Sequence, residues 1–226
     1  YINIREDNMY NIAIDGPAGA GKSTIAKIVA KKLGFIYVDT GAMYRTMALA
    51  CFRDNISQDD EASVVKKCQN VKVTLAYENG TQKVFLNGED VSTELRQEVI
   101  GNMTSAIAVY SPVRKILVNM QQELAKTNEV VMDGRDIGSA VLPNADLKIY
   151  LTASSRTRAT RRYKELVEKG QVCDIDEIEK DIKDRDYRDM HREISPLVQA
   201  DDAVLIDSSD MDIDTVVSEI IKLVNK

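Results

Sequence analysis

The sequence predicts an α/β fold built on a parallel sheet flanked by helices, and three observations carry that prediction. From Asn11 onward, short apolar runs alternate with stretches of helical period. The first junction between such a run and such a helix is a glycine-rich turn of fixed spacing, Gly16 to Ser23. The length of 226 residues, 44% hydrophobic and 29% charged, suits one α/β domain with an insertion.

The apolar run Asn11–Ile14 reads as the first strand. It leads into GPAGAGKS, where Gly16, Gly21, Lys22 and Ser23 match the GxxxxGKS spacing of a Walker A loop. A triphosphate is wrapped there by backbone N–H groups, and side chains at Gly16, Gly19 or Gly21 would hold the backbone away from its oxygens. Pro17, Ala18, Ala20 and Thr24 complete the phosphate-facing turn. Lys22 supplies a point charge for the β and γ phosphates, and the Ser23 hydroxyl a ligand for accompanying Mg2+. The spacing of Ile25, Ile28, Val29 and Leu33 predicts a helix whose N-terminus aims its dipole at the phosphates, with Gly34 as its stop.

Phe35–Val38 reads as a second strand, and Gly41 opens a helical pattern through Ala42, Met47 and Ala50. Residues 59–69 form a short helix with an acidic cap. The runs VKVTLAY and QKVFLNG then alternate with period two about a turn at Asn79-Gly80, which predicts a hairpin. A hairpin fits poorly in a βαβ series, so residues 70–93 are expected as a small antiparallel insertion. Helices follow over Thr93–Ala108 and from Ser111, as N-cap, with Pro112 in the first turn, to Lys126. Glu129–Met132 and Leu147–Leu151 are further strands. Residues 155–192 gather more than half of the chain's arginines and read as two surface helices joined near Gly170. AVLID gives the fifth parallel strand and Ile213–Val224 an amphipathic helix. Strand order is not legible from the pattern.

The formal net charge of −6 speaks against a general nucleic-acid binder, which needs an excess of lysine and arginine. No apolar run approaches the ~18 residues of a membrane span. Cys51, Cys68 and Cys173 are odd in number and widely separated, so neither a disulfide framework nor a CxxC metal site is expected, only inert thiols in a reducing cytosol. Tyr1 to Asn8 is polar rather than an apolar leader, and Met9 reads as a start preceded by an added or upstream segment. The single histidine, His191, cannot build a histidine-based metal site and is expected to face solvent.

Four stretches place arginines and carboxylates at ends of predicted strands or in loops, where a parallel sheet gathers its ligand contacts. DTGAMYR offers Asp39, Thr40, Tyr44 and Arg45; taken alone it reads as a surface helix capped by Thr40. MDGRDIGS offers Asp133, able to orient Mg2+ through water, with Arg135 and Asp136 either facing a ligand or paired with each other. In KDRDYRDMHRE, helical spacing puts Arg185, Asp189 and Arg192 on one face, either as a solvated charge ladder or as a clamp for a phosphate and a sugar hydroxyl. TSAIAVYSPVR offers Ser105 and Arg114, which alone read as a helix hydroxyl and a surface arginine.

Taken in order, GPAGAGKST, VDTGAMYR, MDGRDIGS, RDYRDMHREISPL and ADDAVLIDSS resemble the bacterial cytidylate kinase family, from Asn11 to the C-terminal helix. The resemblance implies a P-loop nucleoside monophosphate kinase fold. Residues 9–39, 116–154 and 193–226 would form the core, 40–115 the monophosphate-binding region with its β insertion, and 155–192 a short mobile lid. It implies transfer of the γ-phosphate of ATP, with Mg2+, to CMP or dCMP. Lys22, Arg135, Arg192 and Arg161 would be catalytic, with Arg45, Arg135 and Arg192 on the acceptor phosphate beside Thr40 and Tyr44. Ser105, Arg114 and Asp136 would hold the cytosine, and Arg185 with Asp189 the sugar. Arg158 and Arg161 would close over the ATP phosphates. A cytoplasmic monomer acting on small nucleotides, with no nucleic-acid or membrane partner, goes with that reading. Asp136 suits cytosine because a carboxylate accepts from the exocyclic amine that uracil lacks. Another monophosphate kinase, with UMP or AMP as acceptor, is the alternative. A GTP-dependent switch would carry NKxD and DxxG patterns, and neither occurs. An ATP-driven interaction protein would differ from a kinase in turning over ATP without an added monophosphate.

Overall fold

The protein was described from a computed structural model that covers residues 9–78 and 81–224. In chain order its elements are β1 (Asn11–Asp15), α1 (Lys22–Leu33), β2 (Ile36–Asp39), α2 (Thr40–Arg53), α3 (Glu61–Gln69), β3 (Val73–Glu78), β4 (Thr81–Leu86) and β5 (Glu89–Asp90). A 3-10 turn (Glu94–Arg96), α4 (Glu98–Ile107), α5 (Ser111–Thr127), β6 (Val130–Gly134) and a π-helical turn (Ile137–Val141) follow. The chain closes with β7 (Leu147–Thr152), α6 (Ser155–Glu168), α7 (Ile175–His191), β8 (Val204–Asp207) and α8 (Ile213–Val224).

Five strands form a parallel sheet in the order β2-β6-β1-β7-β8, with Ile12 beside both Val131 and Leu147. β1 is central, which is why four of its five residues are buried and its sequence does not alternate. Ile12 and Ile14 lie in one cluster with Ile25, Val29, Ile149, Val217 and Ile220, so α1 and α8 cover the same sheet face. Gly34 ends α1 in the left-handed region, φ +77°, and its N–H returns to the Ala30 carbonyl, as does that of Phe35.

The chain divides into two compact units, one holding residues up to Tyr37 and from Asn128 on, the other Val38–Thr127. In the second, β3, β4 and β5 form an antiparallel sheet, with Leu75 opposite Val84. The hairpin is as the alternation predicts; its Asn79-Gly80 turn lies outside the described residues, as do residues 1–8. The third strand, only Glu89–Asp90, is too short for a pattern to reveal it. α2 is gripped at its C-terminal end, where Arg53 bonds Glu89 and Glu94.

Several local expectations are corrected. The stretch from Thr93 to Ala108 is not one helix, because Gln97 is extended (φ −64°, ψ 140°) and separates the 3-10 turn from α4. Thr40 is not the cap of α2: it is the first helical residue, and the Asp39 carboxylate accepts from Ala42 N–H at 2.9 Å. Arg192 is not on the helix that carries Arg185 and Asp189. α7 stops at His191, Arg192 turns extended (φ −66°, ψ 142°), and its Nε donates to the Ser195 carbonyl, where Ser195 itself has φ +48°. Pro196 follows immediately and is incompatible with continuing the helix. His191 is exposed and stacks on Tyr187 at 4.0 Å. The three cysteines are free thiols, Cys51 and Cys68 buried and Cys173 partly so.

Candidate active site

The C-terminal ends of β1, β6 and β7 deliver turns that carry the motif residues, at the edge where open parallel sheets gather their ligand contacts. The loop from Gly16 to Gly21 joins β1 to α1, and Lys22 opens the helix. The Lys22 ammonium is buried and donates to the Pro17 carbonyl at 2.8 Å. Burial, then the nearby Arg135 charge, push its pKa down to about 7, against the pull of Asp133, Asp15 and Asp189.

The three loop glycines are required for two reasons, a close neighbour at Gly16 and a positive φ at all three. A Cβ at Gly16, where φ is +148°, would sit 1.9 Å from the Leu151 carbonyl oxygen of β7. The sheet itself therefore excludes a side chain there, before any phosphate is considered. At Gly19 the nearest atom would be Arg158 Cβ at an ordinary 3.5 Å, so the backbone at φ +77° is what asks for glycine. At Gly21, with φ +89°, no atom of the described residues comes within 4 Å, so only the backbone conformation asks for glycine.

Ser23 and Asp133 meet: the Ser23 hydroxyl donates to one Asp133 oxygen at 2.8 Å, and the Tyr37 hydroxyl to the other at 2.8 Å. Asp133 is the penultimate residue of β6 and is buried, with both oxygens held by neighbouring hydroxyls. Arg135 and Asp136 do not pair with each other. Arg135 Nε donates to Asp189 at 2.9 Å, and Arg192 Nη2 faces Asp136 at 3.7 Å. The turn after β6 and the end of α7 thus interleave two arginines with two carboxylates.

Arg158 is also buried, with Nε on the Ala153 carbonyl, Nη1 on the Ala18 carbonyl at 3.0 Å and two bonds to Asp186. It ties α6 and α7 to the phosphate loop. Arg161 reaches the Ser208 carbonyl at 2.7 Å, and Arg185 is exposed on α7. In the second unit, Thr40, Tyr44 and Arg45 occupy the first turns of α2, Thr40 buried and the other two half-buried. Arg114, buried on α5, stands over the Tyr44 ring with 5.7 Å between guanidinium carbon and ring centroid. Ser105 is exposed and donates to the Gly101 carbonyl one turn back on α4. Gln82 of β4 accepts from the Asp39 N–H at 2.9 Å, so the insertion holds the start of α2.

The model for the family described as cytidylate kinase matches residues 12–226. The chain belongs to the cytidylate kinase family. It is 51% identical over 215 residues to the cytidylate kinase of Ligilactobacillus salivarius, covering 95% of this chain and 96% of that one. It is 49% identical to that of Leuconostoc mesenteroides with the same coverage, and 48% identical to that of Caldicellulosiruptor bescii with 96% of each covered. Among solved structures it is similar to an uncharacterized protein from Eubacterium ventriosum (TM-score 0.55, 13% identity, 96% of this chain and 99% of that one). It is also similar to shikimate kinase from Bacteroides thetaiotaomicron (TM-score 0.51, 14% identity, 97% and 100%). At such identities these two bear on the fold alone.

Sequence reasoning missed four side chains. Asp15 is buried at the end of β1 and accepts two backbone N–H groups from the π-helical turn. An acid closing an otherwise apolar central strand was the available signal. Tyr37 and Ser208 had none, and Asp186 was hidden in a run of charge that looks alike whether solvated or buried.

Proposed function

We propose that this chain transfers the γ-phosphate of ATP to CMP or dCMP, giving ADP with CDP or dCDP. The observation that carries the reading is the convergence, in one compact unit, of the phosphate loop with the paired Arg135–Asp189 and Arg192–Asp136 groups. The family match along residues 12–226 supports it. Phosphoryl transfer asks little covalent help of a protein, only alignment of donor and acceptor and neutralisation of charge. Lys22 serves the ATP phosphates together with the loop amides, and Arg158 and Arg161 serve them from a lid formed by α6 and α7. Arg45, Arg135 and Arg192 take the acceptor phosphate, Arg185 and Asp189 the sugar, and Asp136, Arg114 and Ser105 the base. Mg2+ fits the oxygens of Ser23 and Asp133, hard donors of the kind it takes beside phosphate and water, and when bound it neutralises phosphate charge. Among the described residues no helix is long and apolar enough to cross a membrane. The same reading has the protein act as a monomer in the cytoplasm.

A coupled ADP-release assay with ATP against CMP, dCMP, UMP, AMP and GMP tests the proposal. CMP and dCMP are expected to be turned over best, with UMP behind by roughly 5- to 150-fold in kcat/KM, because two acceptors would then face each other at Asp136. Asp136→Asn should narrow that gap by losing CMP activity. Preference for AMP, or an unchanged CMP over UMP ratio in Asp136→Asn, would overturn the base assignment.

ATP binding should also move a proton. The free Lys22 ammonium is lowered to about 7, and phosphate oxygens favour its charged form, so binding raises its pKa again. Above pH 7 the lysine is largely neutral before binding and charged after it. Calorimetry at pH 8 in buffers of different ionisation enthalpy should therefore show uptake approaching one proton, shrinking toward zero by pH 6. No uptake at pH 8 would count against contact between Lys22 and phosphate.

A further inference from the structure

Arg135 and Asp136 stand on a short turn, and something has to fix its course. The two residues that follow, Ile137 and Gly138, begin the π-helical turn, and their backbone N–H groups have no carbonyl behind them within it. Both are taken by one side chain. Asp15 Oδ1 accepts from Ile137 N–H at 2.8 Å and Oδ2 from Gly138 N–H at 2.7 Å. Asp15 is only 5% exposed, and burial pushes its pKa up to about 6, so this position retains an acid at an energetic cost. The approach is close: a Cβ on Gly138 would lie 3.1 Å from Lys148 Cδ and 3.4 Å from Asp15 Oδ2. Asp15 also pairs in register with Gly134 through the sheet and directly precedes Gly16.

We propose that Asp15 is a positioning residue for the acceptor nucleotide: its carboxylate holds the turn from which Arg135 and Asp136 act, and locks that turn to the strand end carrying the phosphate loop. It need touch neither nucleotide to set the acceptor's affinity. The inference rests on the reading of Arg135 and Asp136 as acceptor contacts. An amide at this position keeps one acceptor oxygen and turns a donor toward the second N–H, so Asp15→Asn leaves half of the anchor.

The test is steady-state kinetics of Asp15→Asn, Gly138→Ala and Asp136→Asn, with thermal unfolding of each. Asp15→Asn should raise KM for CMP about tenfold, the size expected for one lost charge-assisted hydrogen bond, while KM for ATP changes less than about twofold. Gly138→Ala, whose methyl would crowd Lys148 Cδ at 3.1 Å beside an ordinary contact with Asp15 Oδ2, displaces the anchored N–H pair less, so it should raise KM for CMP in the same direction by a smaller factor, and it keeps the test open if Asp15→Asn folds poorly. Equal rises in both KM values, or a lowered Tm with both KM values normal, would overturn the positioning role. Should Asp136→Asn itself leave KM for CMP unchanged, the acceptor reading fails. If Asp136→Asn weakens CMP and neither Asp15→Asn nor Gly138→Ala does, only the inference about Asp15 fails.

Discussion

Lys22→Ala is expected to fold normally and to lose about 10²-fold or more in kcat. Under the proposed reading, the loss follows from removing the side chain that serves the transferred phosphoryl group, since one preorganised electrostatic contact is commonly worth that much. Stability should not suffer. The ammonium is buried, its pKa is lowered by that burial, and it gains one hydrogen bond to the Pro17 carbonyl in return. Truncation removes a group that burial disfavours, and with it the attraction of the buried Asp133 and Asp15 carboxylates, so Tm should change little. A folded variant with near-normal kcat would overturn the role of Lys22.

Gly16→Ala should be the most damaging change in the phosphate loop. Its methyl group would lie 1.9 Å from the Leu151 carbonyl oxygen, so either β7 or the loop must move. Overpacking of this kind typically costs about 1–3 kcal/mol, and the backbone at φ +148° adds strain for any L-residue. For a chain of this size, 3 kcal/mol corresponds to a fall in Tm of roughly 6–12 °C. Gly21→Ala is the control: it shares the positive φ but meets no atom of the described residues within 4 Å, so it should cost only about 1–2 kcal/mol. Thermal unfolding of the two variants decides the matter, and equal losses would show that backbone strain, not the neighbouring strand, makes Gly16 necessary.

The parts of the fold that were legible are those whose cause is local. The run before Gly16, the period of Ile25 to Leu33 and the cap by Gly34 all act within a few residues, and α1 matches them. The hairpin strands were legible by alternation and α8 by its stripe, Ile213–Val224 as expected. What was not legible depends on residues far apart in the chain. The partner of Arg135 is Asp189, 54 positions away, rather than its neighbour Asp136. Gly16 was read as making room for phosphate, yet the atom that excludes a side chain belongs to β7, which no spacing rule reveals. Candidate site residues could be named from motifs. Their pairing could not, because charge runs look the same whichever carboxylate meets which guanidinium.

Under the proposed reading, that pairing makes acceptor capture an exchange of counterions. Arg135 and Arg192 already face Asp189 and Asp136, so an incoming phosphate competes with carboxylates instead of meeting bare positive charge. A lone inorganic phosphate must displace both partners and gives the freed carboxylates nothing. A complete nucleotide, under the proposed reading, offers Asp189 a sugar hydroxyl and Asp136 an exocyclic amine at the moment its phosphate takes the arginines. Discrimination then resides in the swap as a whole: the anion is held firmly only when the rest of the molecule re-employs the two acids it dislodges.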